Sequence, residues 1–268
     1  MRAIGWVGVA VFRESVRDKV LYNLVLFAVL LIGASYLIGQ LTAGQDVKII
    51  KDLGLAAISI FGLFIAVFIG IGLVSKEVER RSIDSLLAKP IERYQLVLGK
   101  YAGLVLTLAV NLAIMTLALY AVLAYMAWAA GPNAARAWDT PALDARMLKA
   151  VALTFVELAV VTAIALFFST FSTAILSAAL TFALFVAGRF SADLRNFNEV
   201  VDSPAAAALA RGLYYVLPNL SPFDVRAEVV RGQLVPAGYL AITVAYGLVY
   251  IAMLLVAATF IFSRRDFK

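Results

Sequence analysis

Cysteine and histidine are both absent from this sequence of 268 residues. Without them the chain forms no disulfide, binds no zinc or haem through Cys or His, and assembles no Cys–His or Ser–His catalytic group. The five methionines are scattered along the chain, which is not typical of a soft-metal site. We therefore expect no metal site and no cofactor bound by this chain.

Charged residues are also scarce, at 15% of the chain, whereas 63% of its residues are hydrophobic. Soluble proteins are roughly 25% charged and about half apolar. Mean hydropathy is +0.94, and the apolar residues form runs long enough to cross a bilayer. The composition predicts an all-α, polytopic membrane protein in a single transmembrane domain.

Six apolar runs predict six transmembrane helices. About 20 apolar residues cross the hydrocarbon core, and longer runs tilt. The run 148–190 is too long for one span, so we divide it at the hydroxyl-rich sequence STFST, residues 169–173, where side chains can satisfy freed backbone groups. The predicted spans are 20–41, 53–75, 101–129, 148–169, 173–190 and 237–262.

Prolines are confined to the loops or to the edges of these spans. We therefore expect continuous helices, which weighs against carriers that build their sites from broken helices. The seven positions are Pro90, Pro132, Pro141, Pro204, Pro218, Pro222 and Pro236.

The basic residues predict the orientation of the chain. With both termini inside, residues 1–19, 76–100 and 263–268 face the cytoplasm and hold 13 Lys and Arg in 50 residues. The opposite loops then hold nine in 77 residues. This bias follows the positive-inside rule and predicts a multi-pass protein of the cell inner membrane with both termini cytoplasmic.

The first 19 residues predict an amphipathic helix at the inner interface of the membrane. Ile4, Val7, Val11 and Phe12 recur at helical spacing, and basic residues follow them. A signal peptide is not indicated, because the apolar part is short and no small-residue cleavage site closes it.

The extracytoplasmic segment 191–236 contains the helix-forming sequence SPFDVRAEVVRG. Ser221 can cap a helix, Pro222 suits its first position, Asp224 completes a capping box and Gly232 can end it. We expect one or two short helices on the outer face, either as a functional element or as an ordinary capped loop.

Charge is concentrated in residues 76–101, KEVERRSIDSLLAKPIERYQLVLGKY, which hold ten of the 40 charged residues. The pattern predicts a short amphipathic helix, a bend at Pro90, and a second helix that continues into the third span. Charges of both signs suit docking against a protein better than docking on anionic lipid. The alternative interpretation is a solvated connector.

This charged stretch resembles the loop between the second and third spans of ABC transporter permeases of the type-2 exporter family. The shared features are an acidic residue after the second span, a run like Ile83-Asp84-Ser85-Leu86-Leu87, then Lys89-Pro90, and a Gly-Lys pair at Gly99-Lys100. The N-terminal amphipathic helix, the six spans and the internal termini are also similar, so the resemblance covers nearly the whole chain.

The resemblance implies that helix 77–88 is a coupling helix seated in a separate ABC ATPase. Two ATPase copies would bind ATP and Mg and would move a dimer of permease chains, either identical or different. No GxxxxGK[ST] motif occurs in this chain, so it lacks its own Walker site. No nucleic-acid partner is expected. The implied coupling residues are Glu77, Glu79, Arg80, Arg81, Ile83, Asp84, Leu86, Leu87 and Pro90.

Polar and small residues inside the spans are further candidates. Glu157 is the only acidic residue near the middle of a predicted span, where an ionisable group marks a pathway or a pairing. It either lines a translocation route or forms a hydrogen bond between helices, with Asn111 or a hydroxyl as partner. Gly62, Ala66 and Gly70 repeat every four residues and suit either packing within the chain or a dimer seam.

Two other functions remain open on the sequence. One is an ion-gradient-driven secondary carrier with Glu157 as the coupling acid. The other keeps the ABC architecture but transmits mechanical work to an envelope partner through residues 191–236. A membrane enzyme is not indicated, since no catalytic set can be assembled. The substrate does not follow from these residues.

Overall fold

The computed structural model describes residues 2–40, 46–80, 92–136, 138, 140–191 and 217–264. All regular secondary structure in these ranges is helical, as predicted. A 3-10 helix, Ser221–Phe223, accompanies the α-helices. The α-helices are α1 Arg2–Val16, α2 Lys19–Gln40, α3 Asp46–Arg80, α4 Arg93–Arg136, α5 Met147–Ser169, α6 Ala174–Arg189, α7 Arg226–Val230 and α8 Ala237–Arg264.

Five of these helices, α2, α3, α4, α5 and α8, are long and apolar enough to cross a membrane. The predicted fifth span corresponds to α6, which has 16 residues and is therefore roughly 24 Å long, against about 30 Å for the hydrocarbon core. The described helices thus supply five candidate spans and one shorter apolar helix, where the sequence predicted six spans.

Helix α5 forms the centre of the bundle. It is apolar around its whole circumference, and such helices are normally buried. It packs against α3, α4, α6 and α8, and its side chains from Leu158 to Leu166 are all buried. Side chains that project from residues 158–166 are therefore held by neighbours on every side.

The predicted break at STFST is confirmed. Helix α5 ends at Ser169 and α6 begins at Ala174. The hydroxyls of Ser169, Thr170 and Ser172 donate hydrogen bonds to the carbonyls of Leu166, Phe167 and Phe168 at 2.7–2.9 Å. These bonds satisfy carbonyl groups that the end of a helix would leave without partners.

The small-residue face of α3 packs within the chain. A Cβ added at Gly70 would lie 2.6 Å from the Cβ of Ala165, and one added at Gly62 would overlap the side chain of Leu158. Ala66, between these glycines, is fully buried. Of the two uses open on the sequence, this face serves the contact between α3 and α5.

Helix α1 packs against the beginning of α4. A Cβ at Gly103 would lie 2.5 Å from the carbonyl oxygen of Gly8, so the two backbones touch. Val11 is buried in this contact, whereas Trp6 is exposed. The helix is where the sequence predicts it, and α4 covers part of its apolar surface. Its position relative to a membrane interface stays a prediction.

Candidate functional site

Four charged side chains form a continuous line of ion pairs at the end of the bundle opposite α1. Arg189, the last residue of α6, lies between Glu157 on α5 and Asp224. Its Nε lies 2.9 Å from Glu157 Oε1, and its Nη2 donates to Glu157 Oε2 at 3.0 Å. Its Nη1 donates to Asp224 Oδ2 at 2.6 Å. One guanidinium therefore joins two carboxylates from different parts of the chain.

Arg226 completes the network from the other side of Asp224. Its Nε and Nη2 donate to the two carboxylate oxygens of Asp224 at 3.0 and 3.1 Å, in the paired geometry that arginine forms with carboxylates. Burial by itself raises the pKa of Asp224. The hydrogen bonds from Arg226 and the positive charges of Arg189 and Arg226 outweigh burial and lower this pKa to about 2. Asp224 is therefore ionised at neutral pH.

Asp224 does not form the predicted capping box with Ser221. Ser221 makes no side-chain cap, and the helical part of the segment is split into the 3-10 helix and α7. Asp224 Oδ1 instead accepts a bond from the backbone N–H of Arg226, the first residue of α7. Gly232 has a φ of 74°, the left-handed conformation that favours glycine after a helix.

The two short helices pack among the ends of the long helices. Phe223 is fully buried, and its ring faces Gly247 of α8, where an added Cβ would lie 3.2 Å from Phe223 Cζ. Gly247 is ten residues along α8, or roughly 15 Å from its start. The segment is thus inserted between the helix ends, which brings Asp224 within reach of Glu157.

A second buried polar cluster lies at the same end. Lys51 of α3 is fully buried, and its Nζ donates to the carbonyl oxygen of Pro141 at 2.7 Å. The same Nζ lies 4.0 Å from Asp144 Oδ2. Tyr120 donates to the backbone carbonyl of Asp144 at 2.7 Å. These contacts fix the connection between α4 and α5 to the side of α3.

Several of these residues were missed by sequence reasoning. Arg189 follows an apolar run and Lys51 precedes one, so both looked like ordinary residues at span boundaries. The apolar run before Arg189 is shorter than the full membrane thickness, and this shortness could have singled out Arg189 in the sequence. Asp224 and Arg226 lie in a segment that comes close to α5 only in the folded chain.

Asn111 is not the partner of Glu157. Its amide donates at 2.8 Å to the carbonyl oxygen of Thr107, one turn earlier on the same helix. Thr107 and Thr116 likewise bond to carbonyls four residues earlier on α4. The interhelical partner of Glu157 is a charged arginine, and not the amide or hydroxyl that we expected.

An open cleft of about 680 Å³ lies beside the charged network. Helix α3 forms one wall, the end of α6 forms the second, and residues 221–228 form the third. Arg189, Asp224 and Arg226 are among its lining residues. The cleft therefore combines charged groups with the apolar sides of two helices. Among the described residues, no cluster of three or more acidic side chains could hold a metal ion.

The predicted coupling residues lie mostly outside the described ranges. The backbone of Glu77, Glu79 and Arg80 belongs to the end of α3. The remaining six, Arg81, Ile83, Asp84, Leu86, Leu87 and Pro90, fall in residues 81–91, which the structure does not describe. Their assignment as coupling residues stays a prediction.

A comparison with protein families finds a match to "ABC-2 family transporter protein" over residues 11–267. The match covers nearly all of the chain. The chain belongs to the ABC-2 transporter family. A comparison with the curated proteins finds no match. The family match confirms the resemblance stated from the charged loop.

Membership in the ABC-2 family establishes the general role of the chain. Proteins of this family are membrane components of ABC transporters and not ATPases, and they partner with an ABC ATPase in a membrane complex. With its apolar helices, the chain is a multi-pass membrane protein and an ABC permease subunit.

Proposed function

We propose that this chain is the permease subunit of an ATP-driven ABC exporter of the cell inner membrane. In this proposal it dimerises with a second permease chain, and two separate ATPase subunits bind ATP and Mg. The loop 76–100 couples the ATPases to the helices. The observation that carries the proposal is the ABC-2 family match over residues 11–267.

The arrangement of the inner helix ends supports this mechanism. Helix α3 continues beyond its apolar part through Glu77 and Glu79 to Arg80 without interruption. Helix α4 begins at Arg93 and packs on α1 close to Gly99. A force on the loop between α3 and α4 would therefore act on two long helices and, through α4, on α1.

The proposal includes six crossings and cytoplasmic termini. Helix α6 makes the fifth crossing although it is short, because the inserted segment 217–236 occupies the outer level that a longer helix would fill. The packing of Phe223 against Gly247 supports this interpretation. The segment then returns the chain to α8, whose end leads to the cytoplasmic C-terminus.

Co-purification with an ABC ATPase tests the proposal. The chain should be expressed with a candidate ATPase, and ATP turnover of the complex should be measured. Reversing the charges in Glu77→Lys/Glu79→Lys should reduce complex formation and ATP turnover at least tenfold, because docking depends on these carboxylates. The matched control is Asp46→Lys, at the opposite end of the same helix. Equal complex formation in both variants would exclude a coupling role for the loop.

A further inference from the structure

The cleft beside the charged network changes from polar to apolar along its length. On α3, its wall begins with Asp52 near the end of the bundle and continues to Leu63, roughly 16 Å further toward the centre. On α6, Arg189 lies at the bundle end, and Phe185 and Val186 follow toward the centre. Both walls therefore present charge at the outside and hydrocarbon inside.

The charges of the cleft do not cancel. Arg189 and Arg226 are held by Glu157 and Asp224, so two positive charges face two negative ones. Asp52 and Glu228 also line the cleft, and neither carboxylate forms an ion pair among the described residues. Within the part of the chain that the structure describes, the polar end consequently carries a surplus of negative charge.

The cleft is open toward the side of the bundle. Ile60, Val186 and Phe190 line it and remain exposed in the structure. This exposed apolar side is suited to contact with lipid, which would let a molecule enter the cleft from the membrane. A small hydrated cation would leave the apolar half unfilled, whereas an apolar chain without a charge would leave the carboxylates unpaired.

We propose that this cleft binds an amphiphile with a cationic head group, placing the head at Asp52 and Glu228 and the apolar chain against Ile60, Leu63 and Phe185. The observations that carry the proposal are the direction of the polarity gradient and the surplus negative charge. As an assignment of the transported substrate class, it rests on the proposed transport function.

Binding of dodecyltrimethylammonium to the full-length chain tests the proposal. The probe is radiolabelled, the protein is purified in a neutral maltoside detergent, and binding is measured at equilibrium. The double variant Asp52→Asn/Glu228→Gln should bind the probe about tenfold more weakly, because two charge pairs of modest strength are lost. Asp46→Asn, a carboxylate of α3 outside this cleft, should bind it as well as the wild type.

Two further measurements examine the two halves of the cleft. Dodecyl phosphate, which carries a negative head group, should compete poorly with the probe. If dodecyl phosphate competes more strongly than unlabelled dodecyltrimethylammonium, the arginines and not the carboxylates bind the head group, and the proposal is overturned. Ile60→Trp, which narrows the apolar end, should weaken binding several-fold at unchanged thermal stability. Equal binding by the double variant and the wild type would also overturn it.

Failure of this proposal is distinguishable from failure of the proposed function. The binding experiment uses the permease chain alone and needs no ATPase, whereas the co-purification experiment does not involve the cleft. A complex that forms and turns over ATP, with a chain that does not prefer the cationic probe, would reject only the cleft assignment.

Discussion

At the scale of single residues, Arg189 at the end of α6 supplies the positive charge that pairs with Glu157. An isolated Glu157 at this depth would be costly as a charge, but Arg189 contacts both of its oxygens. Glu157 is therefore held in an ion pair that ties α5 to α6. This arrangement explains its presence without a role in ion coupling, and it weakens the secondary-carrier interpretation.

We predict that Glu157→Gln lowers the free energy of unfolding by about 3 kcal/mol. Breaking a buried ion pair by removing one partner costs roughly 3–5 kcal/mol, and Arg189 keeps Asp224 as a partner, so the lower end applies. Thermal unfolding in detergent measures the change. The double variant Glu157→Gln/Arg189→Gln should be less unstable than the sum of the single variants. Wild-type stability of Glu157→Gln would contradict the pairing.

A second prediction concerns Asp224 and pH. Its pKa is about 2 in the folded chain against an ordinary value of 3.8, so the unfolded state binds more protons between these values and stability rises with pH there. Asp224→Asn should cost about 2 kcal/mol above pH 4, and this difference should shrink as the pH falls toward 2. Melting curves at pH 5 and pH 2.5 provide the comparison, and an equal difference at both would contradict the lowered pKa.

At the scale of helices, the close contact between α1 and α4 joins the N-terminal helix to the third predicted span. Gly8, Gly99 and Gly103 have no side chains, so the two backbones approach to contact distance. A larger residue at Gly103 would collide with backbone rather than with a flexible side chain. The two helices are therefore expected to move together when the loop 76–100 is displaced.

A disulfide is expected to form between α1 and α4 at positions 8 and 102. A Cβ added at Gly8 lies 3.8 Å from the Cβ of Ala102, within the range that disulfides require. We predict that Gly8→Cys/Ala102→Cys oxidises spontaneously in this cysteine-free chain, as seen by mass spectrometry of the linked peptides. Gly5→Cys/Ala102→Cys is the control, because Gly5 has no neighbour within 4 Å. Loss of ATP turnover in the linked complex, restored by reduction, would contradict joint movement.

At the scale of the whole molecule, the number of crossings decides which ends of the helices share a side of the membrane. If α6 crosses, the turn at 169–173 is cytoplasmic and the inserted segment 217–236 is outside. If α6 does not cross, residues 169–173 and the inserted segment 217–236 would lie on the same side.

Cysteine labelling in intact cells determines whether α6 crosses the membrane. Phe171 and Gln233 are exposed, and the chain has no other cysteine to confuse the result. We predict that Gln233→Cys reacts with a membrane-impermeant maleimide applied from outside, whereas Phe171→Cys reacts only after the cells are opened. Equal accessibility of the two positions, whether from outside or only after the cells are opened, would mean that α6 does not cross.

Much of the fold was predictable from local patterns. The boundaries of α5 and the turn at 169–173 follow from an apolar run of excessive length that is interrupted by hydroxyl residues. The beginning of α8 at Ala237 follows from Pro236 and the apolar run after it. In a membrane, length and hydropathy together constrain each helix, because every backbone polar group must find its partner within its own segment.

The sequence by itself therefore determined the class of protein, the places of its long helices and its resemblance to ABC-2 permeases. Only the tertiary structure decided that Glu157 pairs with Arg189, that residues 221–230 insert among the helix ends, and that the glycines of α3 pack against α5. The physical reason is the separation along the sequence of the residues on which each effect depends. Burial of an apolar run depends on neighbouring residues along the chain, whereas an ion pair joins residues such as Glu157, Arg189 and Asp224, which folding brings together from distant segments.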